Sequence, residues 1–148
     1  MYRNRDERLE VLLVHLGGPY WQRKDSGAWT IPRGQVEAEE DYLAAAIREF
    51  TEETGWHPHG PYLPLGAVHP RSGRTVHAWA FEGSNDPASI RSNLFEIEWP
   101  PKSGQRQQFP EIDRADFFTI AEAQNKIITS ELVFLHRLAE QLAKPPRE

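Results

Sequence analysis

The sequence contains no cysteine, so a disulfide framework and a thiolate metal site are both excluded, and the absence is compatible with a reducing cytoplasm. It has no run of about eighteen apolar residues, which removes a membrane-spanning helix. It has no surplus of positive charge: 17 Lys and Arg stand against 22 Asp and Glu, for a net charge of −5. That balance argues against a general nucleic-acid binder, because such proteins gain affinity by neutralising phosphates. Internal repeats and low-complexity segments are also lacking. Met1 to Glu10 is polar and charged, without the apolar stretch of a secretory signal, so a cytoplasmic protein with no membrane partner is expected.

What is present fits one compact domain over residues 1–148, with 39% hydrophobic and 26% charged residues. Strand and helix signals interleave. Leu9 to Leu16 is a mostly apolar run closed by Gly17-Gly18-Pro19 and reads as a buried strand. Ala28 to Ile31 reads as a short strand. Thr75 to Phe81 and Asn93 to Trp99 alternate, as strands with two distinct faces do. Pro100 to Pro110 holds three prolines and a glycine without periodicity and reads as a long surface loop. A helix is expected from Glu40 to Thr54, with Leu43, Ala46, Ile47 and Phe50 on one arc and Gly55 as its stop. Thr119 with Glu122 forms a capping-box pattern for a second helix. Ser130 is expected to cap a third, carrying Leu132, Leu135, Leu138 and Leu142. The sum is an α/β fold, a mixed sheet flanked by helices.

The first of these helices is oddly charged. Glu49, Glu52 and Glu53 share an arc next to its apolar face, and like charges at these spacings each destabilise a helix by roughly 0.2–0.5 kcal/mol. They also crowd the last turn, where the helix dipole disfavours anions. An exposed acidic helix face is the ordinary explanation of such a cluster. Arg48 can offset part of the repulsion by pairing with Glu52, and a bound divalent cation would offset more. Just upstream, Trp29-Thr30-Ile31-Pro32-Arg33-Gly34 is a strand-to-loop sequence whose glycine allows close backbone approach and an unusual dihedral. Several carboxylate oxygens plus a neighbouring carbonyl are what Mg²⁺ uses, water filling its remaining positions.

Gly34, Glu40, Arg48-Glu49-Phe50, Glu52-Glu53 and Gly55-Trp56, at their spacings, match the Nudix box at all of its fixed charged and glycine positions. With average residue usage the chance of this is on the order of 10⁻⁶. The chain therefore resembles the Nudix hydrolase superfamily, with large aromatics, Phe50 and Trp56, where aliphatic residues are usual. The resemblance implies the Nudix fold, an α/β/α sandwich with a mixed β-sheet, and Mg²⁺-dependent hydrolysis of a phosphoanhydride bond in a nucleoside diphosphate linked to another group, with Mn²⁺ as an alternative ion. Gly34 would supply a carbonyl to the metal, and Glu49, Glu52 and Glu53 its carboxylates. Arg48 would orient the glutamates, and Glu40 would support the loop or contact a second metal. Glu49 or Glu52 would take the proton from the attacking water. Glu111, in Phe109-Pro110-Glu111-Ile112-Asp113, is a candidate extra ligand or base.

For the substrate, Arg33, Lys102, Arg106 and Trp29 are candidate binding residues. Arg23 and Lys24 lie in loops that could serve the same end, and Tyr20, Trp21, Trp79 and Phe109 could stack on a base. The stretch from Gly27 to Gly34 is similar to dinucleoside polyphosphate and diphosphoinositol polyphosphate hydrolases. Trp99 to Gly104 with Phe109 to Arg114 is similar to a bacterial group of predicted nucleoside triphosphate pyrophosphohydrolases. A nucleoside triphosphate or a dinucleoside polyphosphate is the expected substrate, with a diphosphoinositol polyphosphate as an alternative. The superfamily also contains sensors that bind nucleotides without cutting them. Loss of box glutamates marks that class, and none is lost here. The chain is expected to be a monomer or a homodimer.

One departure concerns the fold. Nudix chains usually carry a strand ahead of the one placed at Leu9 to Leu16, and only the charged Met1 to Arg8 is available for it. If that strand is missing, a sheet edge is exposed for a partner chain to cover. His57 and His59 flank Pro58 but have no third ligand at zinc-site spacing, and His15, His69, His77 and His136 are given no catalytic role.

Overall fold

The computed structural model describes residues 1–71 and 73–144. Strand β2, Arg8–Leu16, is its centre, and Val11 through His15 are all buried. It pairs antiparallel with β8, Ile112–Thr119, along one edge. Along the other edge it pairs with β1, Tyr2–Arg5, and β3, Trp29–Thr30. Side chains alternate across β2. Val11 and Leu13 join one core with Trp29, Ala123, Ile127, Phe134, Leu135 and Leu138, while Leu12 joins another with Phe50, Trp56, Phe81 and Phe117. Each side chain buried as fully as Leu12 or Leu13 contributes about 2 kcal/mol of hydrophobic stabilisation. Helix α1, Tyr42–Thr54, covers one face, and α2, Ile120–Gln124, with α3, Leu132–Ala143, covers the other. This is the expected α/β/α sandwich.

The ladders are antiparallel, and a parallel bridge between Tyr2 and Glu82 ties the hairpin of β4, Leu63–Val68, and β5, Val76–Ala80, to β1. The sheet is mixed through that bridge. The alternation of β5 is used on both faces: Ala78 and Ala80 enter the α3 side, and Phe81 just beyond it enters the α1 side. No helix among the described residues is long and apolar enough to cross a membrane.

Several expectations are corrected. The first strand is not missing, because the charged segment forms β1. Its charges sit where they are useful: Arg3 pairs with Glu10 across the ladder at 2.8 Å, and its guanidinium lies 3.8 Å from the centroid of the Phe117 ring. The turn is Asp6-Glu7, both at positive φ, a two-residue hairpin turn without the usual glycine. The segment from Pro100 to Pro110 is not wholly a loop, since Arg106–Pro110 is β7, paired with β6, Leu94–Glu98. Strands β4 and β8 carry no clear signal in the sequence: β4 contains a proline and a bulge beside Gly66, and β8 mixes charged residues with apolar ones.

The helix ends follow their local chemistry. The Asp41 side chain accepts from the Ala44 N–H at the start of α1, and Gly55 closes it at φ 80° with its N–H on the Thr51 carbonyl. Thr119 and Glu122 make the expected reciprocal capping box. Ser130 is not the cap of α3. Thr129–Glu131 is a 3₁₀ turn that runs into the helix, and the N-cap position belongs to Glu131, whose side chain is engaged elsewhere.

Candidate active site

Two backbone segments build the site. One is α1, and the other is the irregular loop from Ile31 to Asp41 that leaves β3 and enters the helix. The last turns of α1 carry Arg48, Glu49, Glu52 and Glu53. The loop returns across them, so that Gly34 lies directly against the Glu49 side chain. A Cβ at position 34 would stand 1.9 Å from the Glu49 carboxylate carbon. Close approach is thus the reason for glycine here. The expected unusual dihedral is not found, since Gly34 is not among the residues with positive φ.

Arg48 organises the carboxylates. Its Nε donates to Glu40 at 2.7 Å, and one terminal nitrogen donates to Glu49 at 2.9 Å and to Glu52 at 3.2 Å. The other terminal nitrogen donates to Glu40 and to the Gln35 carbonyl, which fastens the loop to the helix. Hydrogen bonding to Arg48, then to the Glu37 backbone, lowers the Glu40 carboxyl to about 2. Arg48 is held in its charged form mainly by Glu40.

Glu53 behaves in the opposite way. It accepts from the Arg33 backbone N–H at 2.9 Å, yet burial, followed by repulsion from Glu49 and Glu111, raises its carboxyl to about 8. The negative charge at this end of the cluster exceeds what the protein neutralises. The influence of Glu111 also locates it: it sits in the exposed turn between β7 and β8, near enough for its charge to act on Glu53.

Carboxylates, a glycine-lined approach and excess negative charge fit a hard divalent cation with oxygen ligands. As the side chains stand, no three carboxylates or imidazoles among the described residues converge tightly enough to hold one. Arg48 lies between Glu49 and Glu52, donating to both, and Glu53 is occupied by Arg33. Coordination therefore requires these side chains to turn away from their present donors.

The candidate substrate residues divide. Arg33 is at the site, its side chain 44% exposed and one terminal nitrogen 3.2 Å from Glu131. Trp29 is not a surface binding residue. It is 4% exposed, its indole N–H is given to Asp25, and its ring packs on His15 and Phe118. Arg106 pairs with Glu96 across its own hairpin, and Lys102 lies in that hairpin's turn; no described contact joins either to the carboxylate cluster.

Sequence reasoning missed Glu131, which is fully buried on the far side of the loop's root. It accepts from the Thr30 hydroxyl at 2.8 Å and from the Ile31 N–H at 2.9 Å, and it faces Arg33. Burial raises its carboxyl, opposed by the Ile31 N–H, Arg33 and Thr30. No local signal marks it, because its partners lie about a hundred residues earlier in the chain. His15 is likewise more engaged than expected. It is buried between Asp113 at 2.7 Å and the Lys24 carbonyl at 2.6 Å, and it braces the loop after β2 against the start of β8, two residues beyond Glu111.

A sequence model of the NUDIX domain matches residues 1–138. No curated protein matches the chain. Among solved structures, it is similar to an Ap4A hydrolase binary complex from C. elegans at 20% identity and a TM-score of 0.64, covering 96% of this chain and 92% of that one. It is similar to the NUDIX domain of Shewanella oneidensis NrtR complexed with ADP ribose at 18% identity and a TM-score of 0.61, covering 96% and 83%. It is also similar to the MutT protein from Methanosarcina mazei Go1 at 19% identity and a TM-score of 0.59, covering 96% and 90%. At these identities the structural likenesses show a shared fold.

Proposed function

Because the chain belongs to the Nudix family, whose domain spans residues 1–138, we propose that it is a Mg²⁺-dependent pyrophosphohydrolase acting on a nucleoside triphosphate or a dinucleoside polyphosphate. The observation that carries this reading is the complete set of box carboxylates on and beside α1, with Glu49 packed directly against Gly34 and Glu53 raised to about 8 by burial and by its acidic neighbours. Such a group is stabilised by a cation.

Glu49, Glu52, Glu53 and the Gly34 carbonyl would hold the ion, with Glu111 as a further ligand or base and Mn²⁺ as a substitute metal. When bound, Mg²⁺ neutralises polyphosphate charge and makes a water acidic enough to attack phosphorus near neutral pH. The chain's residues do the rest. Glu49 or Glu52 takes the proton of the attacking water. Arg48, tied to Glu40 and the Gln35 carbonyl, keeps the loop and the glutamates in register. Arg33 binds a phosphate of the substrate.

The test is turnover, with and without Mg²⁺, of nucleoside triphosphates, dinucleoside polyphosphates, ADP-ribose and diphosphoinositol polyphosphates, using Glu53→Gln as control. Mg²⁺-dependent cleavage of a nucleoside triphosphate or a dinucleoside polyphosphate, lost in the variant, supports the proposal. Cleavage confined to another class revises the substrate. Silence across the panel with tight binding of one compound would identify a sensor.

A further inference from the structure

We infer that Glu131 is the positioning residue that aims Arg33 at the substrate's phosphates, so that specificity for the polyphosphate is set from the start of the C-terminal helix. This rests on the hydrolase function proposed above. A buried carboxylate is costly unless it is paired and hydrogen-bonded. Glu131 is fully buried at the root of the loop, and each described partner of its side chain belongs to the segment Thr30 to Arg33. The neighbouring chain reinforces the clamp. Trp29 N–H donates to the Lys126 carbonyl at 3.2 Å, and Ile128 N–H donates to the Trp29 carbonyl at 2.8 Å. Residues 126–131 thus hold β3 and the first residues of the loop as one unit.

The geometry at Arg33 gives this clamp a function. One terminal nitrogen faces Glu131, while the side chain remains 44% exposed and its other nitrogens have no described partner. The Arg33 backbone N–H is on Glu53, and its positive charge acts on that carboxylate. A guanidinium fixed on its inner side by a carboxylate presents its remaining donors in a set direction, as recognition of a phosphate requires. Lysine cannot do this, since its ammonium is a single point of charge that would be drawn either to Glu131 or to the phosphate.

The test compares Arg33→Lys, Arg33→Ala, Glu131→Gln and the double variant Glu131→Gln with Arg33→Ala. Steady-state kinetics at saturating Mg²⁺ would use the substrate identified by the turnover panel, and calorimetry would measure ADP binding. Arg33→Lys and Glu131→Gln should each raise KM, and weaken ADP binding, by about tenfold, the loss of a charge-assisted hydrogen bond. Turnover number and the Mg²⁺ concentration for half-activity should change little. Glu131→Gln should add nothing in the Arg33→Ala background, because the two act as one unit. Arg33→Lys at wild-type KM and ADP affinity, or additive effects of the two positions, would overturn the inference while leaving the hydrolase intact. Arg33→Lys keeps the test open if Glu131→Gln fails to fold. If the panel shows no turnover but ADP binding weakens as described, the hydrolase reading fails and the clamp stands. Absence of both turnover and ADP binding overturns both.

Discussion

The two ends of the loop between β3 and α1 are each fastened to carboxylates, and the protein treats the two groups differently. At the root, Glu131 is sealed in the interior, and its oxygens accept from Thr30 and Ile31 while Arg33 faces it. At the far end, Glu40, Glu49 and Glu52 share the single guanidinium of Arg48, while Glu53 is left close to Glu49 and Glu111. In the first arrangement the carboxylate is buried and fully paired, and only the Arg33 side chain reaches outward. The second is short of positive charge. Around one loop, the carboxylate at the root is matched by its donors and anchors the chain, while the crowded carboxylates on α1 are the ones proposed to bind a cation.

The sharpest way to break that contrast is to remove charge from the far end. Glu53→Gln or Glu52→Gln should lower turnover by orders of magnitude and leave the fold intact, as circular dichroism and a melting curve would show; wild-type turnover in either variant would refute the metal site. Next in size is Gly34→Ala. Its methyl group would collide with the Glu49 carboxylate, so the loop or the glutamate must move, and an error of about 1 Å in a catalytic geometry costs roughly a hundredfold. Kinetics would show the loss with little change in melting temperature, and normal activity would mean that this approach is not needed.

Smaller effects concern stability. Gly55→Val forces a β-branched residue into φ 80°, where strain costs about 1–3 kcal/mol, and should lower the melting temperature by several degrees. An unchanged melting temperature would refute the cap. The pH dependence of the metal-free protein separates the carboxylates by sign. The carboxyl of Glu53 is raised in the fold from 4.5 to about 8, so an unfolded chain ionises it first and the folded state is penalised progressively as pH rises through that window. Glu40 is lowered from 4.5 to about 2, so its contribution is present above 4.5 and is lost as pH falls towards 2. Melting temperature against pH should therefore decline between about 4.5 and 8 in the wild type, and Glu53→Gln should flatten that decline. An unaltered slope would show that Glu53 does not carry it.

The two ends of the loop were not equally legible in the sequence. The far end was, because Gly34, Glu40 and the glutamates of α1 lie within one short segment whose spacing matches the family's box. Gly55 and the Thr119–Glu122 pair follow local capping rules, so the end of α1 and the start of α2 could be placed from a few residues each, whereas the Asp41 cap sets the start of α1 two residues later than the expected Glu40. Glu131 was not legible, since its role comes from contacts a hundred residues distant. Strand β1 was hidden for another reason. Its charges suit an exposed ladder, with Arg3 on Glu10 and Phe117, and its turn lacks the glycine that announces a hairpin. Strand β7 is polar because it belongs to a two-stranded hairpin, and most of its side chains are exposed. Trp29 was misplaced because an aromatic beside a binding loop and an aromatic in the core look alike until burial is known.

The central proposal, that the crowded carboxylates of α1 form a divalent-cation site, is tested most directly by melting the metal-free protein and Glu53→Gln at increasing Mg²⁺ concentration at pH 7.5. A ligand that binds only the folded state raises stability with its concentration. The account predicts a steady rise for the wild type and a much smaller one for Glu53→Gln. Equal rises in both proteins, or none in the wild type, would contradict it.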